Sequence, residues 1–174
     1  MKIFINPGHG GSDCGAVGFG LKKSDVAFDI ACRLQRFLND FNLDTKVFQF
    51  DGLETICNES NSWNADLFVS IYCNAFNGTA NGIESYYFYN SAIGKKLASS
   101  IHNKILNSFP QLNNRGVKQA GFYVLAGTNC PAALVETAFI DNQLLKSRAD
   151  DFAKAIAQGI LYFLGIKPDF IDSH

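Results

Sequence analysis

A chain of 174 residues, 47% apolar and 18% charged, carries enough apolar material for one domain that buries most of its surface without disulfides or a structural metal. Its net charge of −1 argues against the clustered cationic surface that phosphate-backbone binding needs, so nucleic acid is not expected as a partner. The five cysteines (Cys14, Cys32, Cys57, Cys73 and Cys130) are odd in number, widely spaced and without a C-x-x-C pair, so they read as free thiols. No stretch approaches the ~20 apolar residues of a membrane span, and the N-terminus lacks the charged-then-apolar segment of a signal peptide.

Lys2 to Asn6 is expected as a short buried strand that opens into the loop Asn6-Pro7-Gly8-His9-Gly10-Gly11-Ser12-Asp13-Cys14-Gly15. Glycines and a proline around one histidine allow a tight turn and a close approach to a ligand. Ser24 to Phe41 places Val26, Ile30, Leu34, Phe37 and Leu38 at the three-and-four spacing of a helix, with Ser24 or Asp25 able to cap its start. Lys46 to Phe50 alternates as a second strand, and Gly52 to Ser62 reads as a short helix. Asp66 to Cys73 is nearly continuous in apolar character, as in a strand covered on both faces.

Asn74 to Asn81 is a polar loop, and Ile83 to Tyr89 an aromatic strand of which one tyrosine edge could line a groove. Ala92 to Phe109 is a helix stopped by Pro110. Asn113-Asn114-Arg115-Gly116 reads as a turn, Gly121 to Ala126 and Ala132 to Ala138 as strands, and Asp151 to Leu164 as a helix with Gly165 where its C-cap belongs. The chain is expected to form a single domain, 1–174, with residues 165–174 as a loose tail. Alternating buried strands and amphipathic helices give an α/β fold, a sheet sandwiched between helices.

In such a sheet, ligands lie beyond the carboxyl ends of strands, where His9, Tyr72 with Asn74, and Glu136 fall. Glu136 is the sharpest candidate, because an acid inside Ala-Leu-Val-Glu-Thr-Ala-Phe is costly to bury unless paired or used. The alternative is a structural carboxylate paired with Arg115 or backbone amides. His9 is open between a loop hydrogen bond and a role as base or ligand. His102 is read as part of a solvated helix face and His174 as part of the loose terminus.

Phe4-Ile-Asn-Pro-Gly-His-Gly-Gly11, Gly20-Leu-Lys22 and the helix after it, Ala65-Asp-Leu-Phe-Val-Ser-Ile71 with Asn74, Gly82-Ile-Glu-Ser-Tyr-Tyr87, Arg115-Gly-Val-Lys118, Phe122-Tyr-Val-Leu125 and Pro131-Ala-Ala-Leu-Val-Glu136 run in order along the chain. Together they resemble the zinc-dependent N-acetylmuramoyl-L-alanine amidase family of the Amidase_3 type, which cleaves the amide between the lactyl group of muramic acid and L-alanine. The resemblance implies a mixed, mostly parallel sheet between helices, zinc as cofactor, peptidoglycan or a muropeptide as partner, and a cell-wall or extracellular setting. It makes His9 the first zinc ligand and Glu136 the catalytic acid/base. The family's glutamate ligand falls on Lys23 and its second histidine on Tyr72.

A catalytic zinc needs three protein ligands and a water, whereas an ammonium is only a donor and a phenol ionises near pH 10. The expectation is therefore an eroded zinc site, zinc weakly held or absent, and a pseudoenzyme or a muropeptide- or partner-binding protein, with Asn74, Arg115 and Lys23 contacting substrate. Lys23 is expected to reach towards His9 or Glu136 and to pair with the latter. The alternative is an active amidase with a metal site rebuilt from Asp25, Cys73, Cys14 or Asp13. A third reading is a metal-free hydrolase using Cys73 or Cys14 with His9.

Overall fold

Alternation of side chains along each strand divides the apolar residues between the two faces of one sheet. A computed structural model describes residues 1–18, 20–75, 81–139 and 147–167. The strands of the main sheet are β1 (Lys2–Pro7), β4 (Asp44–Val47), β5 (Leu67–Asn74), β6 (Ile83–Tyr87), β7 (Asn114–Gln119) and β8 (Ala132–Phe139), in the order β4-β1-β5-β8-β6-β7. β1, β4, β5 and β8 are mutually parallel, β6 runs antiparallel to β8, and β7 is parallel to β6. A two-stranded ribbon, β2 (Val17–Gly18) with β3 (Leu21–Lys22), leads into the first helix. The sheet is thus mixed and mostly parallel, as expected.

Helices α1 (Lys23–Asn39), α3 (Ala92–Ser108) and α5 (Ala149–Phe163) cover one face, packing on Ile3 and Ile5 of β1, Val69, Ile71 and Cys73 of β5, and Ala133 and Val135 of β8. The opposite face carries Phe4, Phe68, Ala132 and Leu134, and only the short helices α2 (Leu53–Ser62) and α4 (Tyr123–Ala126) lie on it. Asn61 joins those two helices, accepting from the Asn129 N–H at 2.8 Å and donating to the Gly127 carbonyl at 2.8 Å. This second layer is too short to roof the whole face, and the part left open is where the site lies.

Several sequence expectations change. Asn113 to Gly116 is not a turn, because β7 begins at Asn114. The Asn114 side chain accepts from the Gly116 N–H at 2.9 Å, Gly116 has φ +94°, and the β6–β7 register shifts there. Turn chemistry here makes a bulge within a strand. Gly121 to Ala126 is not a strand: Tyr123 to Ala126 form α4, whose Val124 and Leu125 are buried while Phe122 and Tyr123 stay exposed. Its β-branched and aromatic composition is overridden by packing against α2 and β8.

α1 begins at Lys23, and neither Ser24 nor Asp25 caps it. The second strand ends at Val47 and the aromatic strand at Tyr87, each short of its expected end. His102 is buried rather than solvated, between Ser85 Oγ at 3.1 Å and Asn114 Oδ1 at 2.9 Å, so it joins α3 to the β6–β7 edge. Gly165 has φ +71°, and its N–H bonds the Tyr162 carbonyl while that of Ile166 bonds the Leu161 carbonyl, closing α5 with a Schellman cap. His174, most of the 165–174 tail and residues 76–80 of the expected polar loop lie outside the described residues.

Candidate functional site at the carboxyl ends of the parallel strands

Strand register sets the centre of the site. Tyr72 of β5 pairs with Glu136 of β8, and Glu136 pairs in turn with Glu84 of β6, so one row crosses three adjacent strands. Two residues back, Leu134 and Tyr86 are neighbours on the α2/α4 face, which fixes the direction in which Glu136 and Glu84 project. Glu136 opens into a cleft of about 160 Å³ walled by Leu53, Tyr72, Phe122, Tyr123 and Leu134.

The first loop closes one side of this row. His9 adopts φ +60°, and its Nδ1 lies 2.7 Å from Asp13 Oδ2. A carboxylate only accepts, so Nδ1 carries the hydrogen and Nε2 of the neutral ring keeps its lone pair. Asp13 Oδ1 accepts from the Gly15 N–H at 2.8 Å, and the hydrogen bond from His9, together with this one, holds the Asp13 carboxyl below its usual range. A Cβ on Gly15 would sit 2.7 Å from the His9 ring, and one on Gly8 would sit 2.5 Å from the Tyr72 ring. Both glycines therefore permit close approach.

Tyr72 meets His9 edge to face, with ring centroids 5.3 Å apart. Beneath them Ser70 Oγ donates to Asn6 Oδ1 at 2.7 Å, and Asn6 Nδ2 donates to the Phe48 carbonyl at 3.2 Å, tying the root of the loop to β5 and to the residue after β4.

The two acids of the row have opposite environments. Glu84 is buried, which pushes its pKa up, but Lys118 Nζ at 2.6 Å, Tyr86 and Arg115 together bring it below the usual range. Asn74 Nδ2 also donates to it at 2.8 Å, and Arg115 Nε lies at 3.5 Å. Glu136 is the converse. Its Oε2 is buried and has no hydrogen-bond partner among the described residues. Burial, opposed by the charge of Lys23 and reinforced by Glu84, pushes its pKa up to about 7. It therefore exchanges a proton near neutrality.

The structure brings His9, Tyr72, Asn74, Glu136 and Lys23 to one end of the sheet, with two corrections. Arg115 pairs with Glu84 rather than Glu136, because the bulge at Gly116 presents it to β6. Lys23 acts on Glu136 and Asp13 through its charge, but among the described residues it makes no ion pair with either. Asn74 and Arg115 are both engaged by Glu84, which leaves Lys23 as the candidate substrate contact without such a bond.

Residues 3–162 match the family described as N-acetylmuramoyl-L-alanine amidase. The N-acetylmuramoyl-L-alanine amidase LytC of Bacillus subtilis (strain 168) is 39% identical over 174 residues, a span of 92% of this chain and 35% of that protein. The sporulation-specific N-acetylmuramoyl-L-alanine amidase of the same organism is 36% identical, over 91% of this chain and 65% of its own length. The solved structure of the amidase AmiC2 of Nostoc punctiforme is 35% identical and superposes with a TM-score of 0.88, covering 95% of this chain and 97% of that one.

The chain belongs to the N-acetylmuramoyl-L-alanine amidase family.

It spans between about a third and two thirds of the length of these two curated relatives. Within this amidase-family fold, the residues at the three positions that the resemblance assigns to zinc are a poor donor set. His9 offers an imidazole, but the ammonium of Lys23 has no lone pair. The phenol of Tyr72 is pushed above its ordinary pKa by burial and by the charge of Glu136. Among the described residues no three His, Cys, Asp or Glu side chains are grouped so as to hold a metal ion. Cys73 cannot substitute: it faces the other side of the sheet, 3.8 Å from Thr137 Oγ1, and burial pushes its thiol up to about 12. The donor set present does not fit a three-ligand zinc.

Sequence reasoning did not single out Glu84 or Lys118, and it named Asp13 only as a possible metal ligand, not as the partner of His9. Glu84 carries the same signal that exposed Glu136, an acid within an apolar and aromatic strand. Asp13 is four residues from His9 in a loop, where no periodicity announces the contact.

Proposed function

We propose that this chain is a peptidoglycan-directed member of the amidase family whose zinc site has eroded and whose role is to bind a muropeptide or a partner, with weak or no hydrolysis. The observation that carries this reading is the pair of residues beside His9: a cation, Lys23, acting on Glu136 and Asp13, and the aromatic ring of Tyr72 against the imidazole. A positive charge there disfavours a dication and suits the carboxylates of a stem peptide. The cell-wall setting follows from the same reading. No helix of the described residues is long and apolar enough to cross a membrane.

One observation favours a second reading. Glu136 keeps a buried oxygen with no hydrogen-bond partner among the described residues at the floor of an open cleft, which is the placement of a proton-transferring carboxylate rather than of a structural one. In an active enzyme Glu136 would take a proton from the attacking water and deliver it to the departing amine.

The deciding experiment compares the wild type with a Lys23→Glu/Tyr72→His double variant for bound zinc and for release of soluble fragments from purified peptidoglycan. The expected result is little cleavage and substoichiometric zinc for the wild type, and at least ~10-fold tighter zinc binding for the double variant. Robust, chelator-sensitive cleavage by both proteins would overturn the eroded-site reading in favour of the second.

A further inference from the structure

On the face of the molecule away from Glu136, α3 and the end of α5 enclose a groove of about 660 Å³. Its floor is one stripe of α3, in which Lys95 and Lys96 stand one turn from Ser99 and Ser100, followed by Asn103, Lys104 and Asn107. The stripe spans roughly 18 Å at ~1.5 Å per residue. Its far wall is Tyr162, 69% exposed, with Lys104 Nζ 5.5 Å from the ring centroid.

Charge balance sets this helix apart. α3 contains no Asp or Glu, and among the described residues none of its three lysines makes an ion pair. The neighbouring helices carry acids of their own that pair with some of their cations: Arg33 bonds Asp29 within α1 and Asp150 of α5, and Lys154 bonds Asp150. A chain of net charge −1 therefore concentrates three unbalanced cations in one groove. The remaining lining supplies hydroxyl and amide groups and one exposed aromatic face. Amides and hydroxyls pair with sugar hydroxyls, an aromatic face stacks on the apolar side of a sugar ring, and ammonium groups take regularly spaced anions.

We infer that the α3/α5 groove binds an anionic glycan strand, with Lys95, Lys96 and Lys104 on its acidic groups and Tyr162 beneath a sugar ring. The groove lies on the opposite side of the sheet from the cleft, so this binding tethers the protein to a polymer independently of what the cleft holds. It stands whether or not the chain hydrolyses an amide.

Binding of fluorescently labelled hyaluronan octasaccharide to the whole chain, measured by anisotropy at 50 mM salt, tests this directly. Uncharged dextran, inorganic polyphosphate and single-stranded DNA of similar length serve as competitors. Hyaluronan should bind, dextran should compete at least ~100-fold less well, and raising the salt to 300 mM should weaken binding by about 10-fold or more. Lys95→Gln/Lys96→Gln/Lys104→Gln should weaken binding by at least ~10-fold, and Tyr162→Ala should abolish the preference for hyaluronan over polyphosphate. Circular dichroism checks that the variants fold, and Lys46→Gln, whose side chain pairs with Glu59 of α2 on the opposite face of the sheet, should bind as wild type does. Failure to bind hyaluronan, unchanged binding by the triple variant, or competition by polyphosphate or DNA equal to that by hyaluronan would each overturn the proposal. None of these outcomes bears on the amidase reading, because the probes carry no peptide.

Discussion

Glu136 is the residue on which the chemistry of the cleft turns, and its protonation is linked to stability. Its folded pKa, about 7, lies above the ordinary 4.5, so the folded state holds the proton more tightly than the unfolded chain. Below pH 4.5 both states are protonated and the shift costs nothing. Between pH 4.5 and 7 the unfolded state ionises first and stability falls, and above 7 the whole penalty, about 3 kcal/mol at 1.36 kcal/mol per unit, is present. Glu136→Gln should therefore leave urea stability nearly unchanged at pH 4 and raise it by about 2–3 kcal/mol at pH 8. An equal effect at both pH values would mean that the carboxyl titrates normally. At this scale the sequence showed the acid itself, since a carboxylate within apolar neighbours stands out. It also pointed to Lys23 as the cation facing this acid, but not to Glu84 as the partner that Arg115 and Lys118 take, because the register shift between β6 and β7 is not encoded in strand patterning.

Elements fix those positions through a few close contacts. Gly159 of α5 lies against α3 so tightly that an added Cβ would fall 2.4 Å from the Ile101 Cα and 3.0 Å from the Ser100 carbonyl oxygen, both backbone atoms. The helices would have to separate, which disturbs the stacked Phe109 and Phe152 rings, 4.0 Å between centroids, at the same interface. Gly159→Ala should destabilise the fold by about 1–3 kcal/mol despite the better helix propensity of alanine. A thermal melt that rises would instead mean that the interface has slack. The main helices and the long parallel strands were legible because their apolar periodicity runs for many residues. α4 was not, since four residues carry no helical period, and Phe-Tyr-Val-Leu has strand composition.

At the scale of the molecule, the two faces of the sheet differ in how firmly they are held, and the difference falls where the cleft is. The α1/α3/α5 layer buries Ile30, Leu34, Leu97, Ile101, Phe152 and Ile156 against the sheet, whereas α2 and α4 contribute Ile56, Cys57, Val124 and Leu125. A layer with so few buried side chains opens at lower free energy than the global transition, and α4, with Phe122 and Tyr123 exposed, is its weakest part. Amide hydrogen exchange should accordingly be on the order of 100-fold faster in Leu125, Ala126 and Gly127 than in Ala155 to Ile160 of α5. Because Phe122 and Tyr123 also wall the Glu136 cleft, a muropeptide seated there should slow exchange in α4 while leaving α5 unchanged. Equal protection of the two helices in the free protein would show instead that both layers open as one unit, and the cleft wall would then be as rigid as the core behind it.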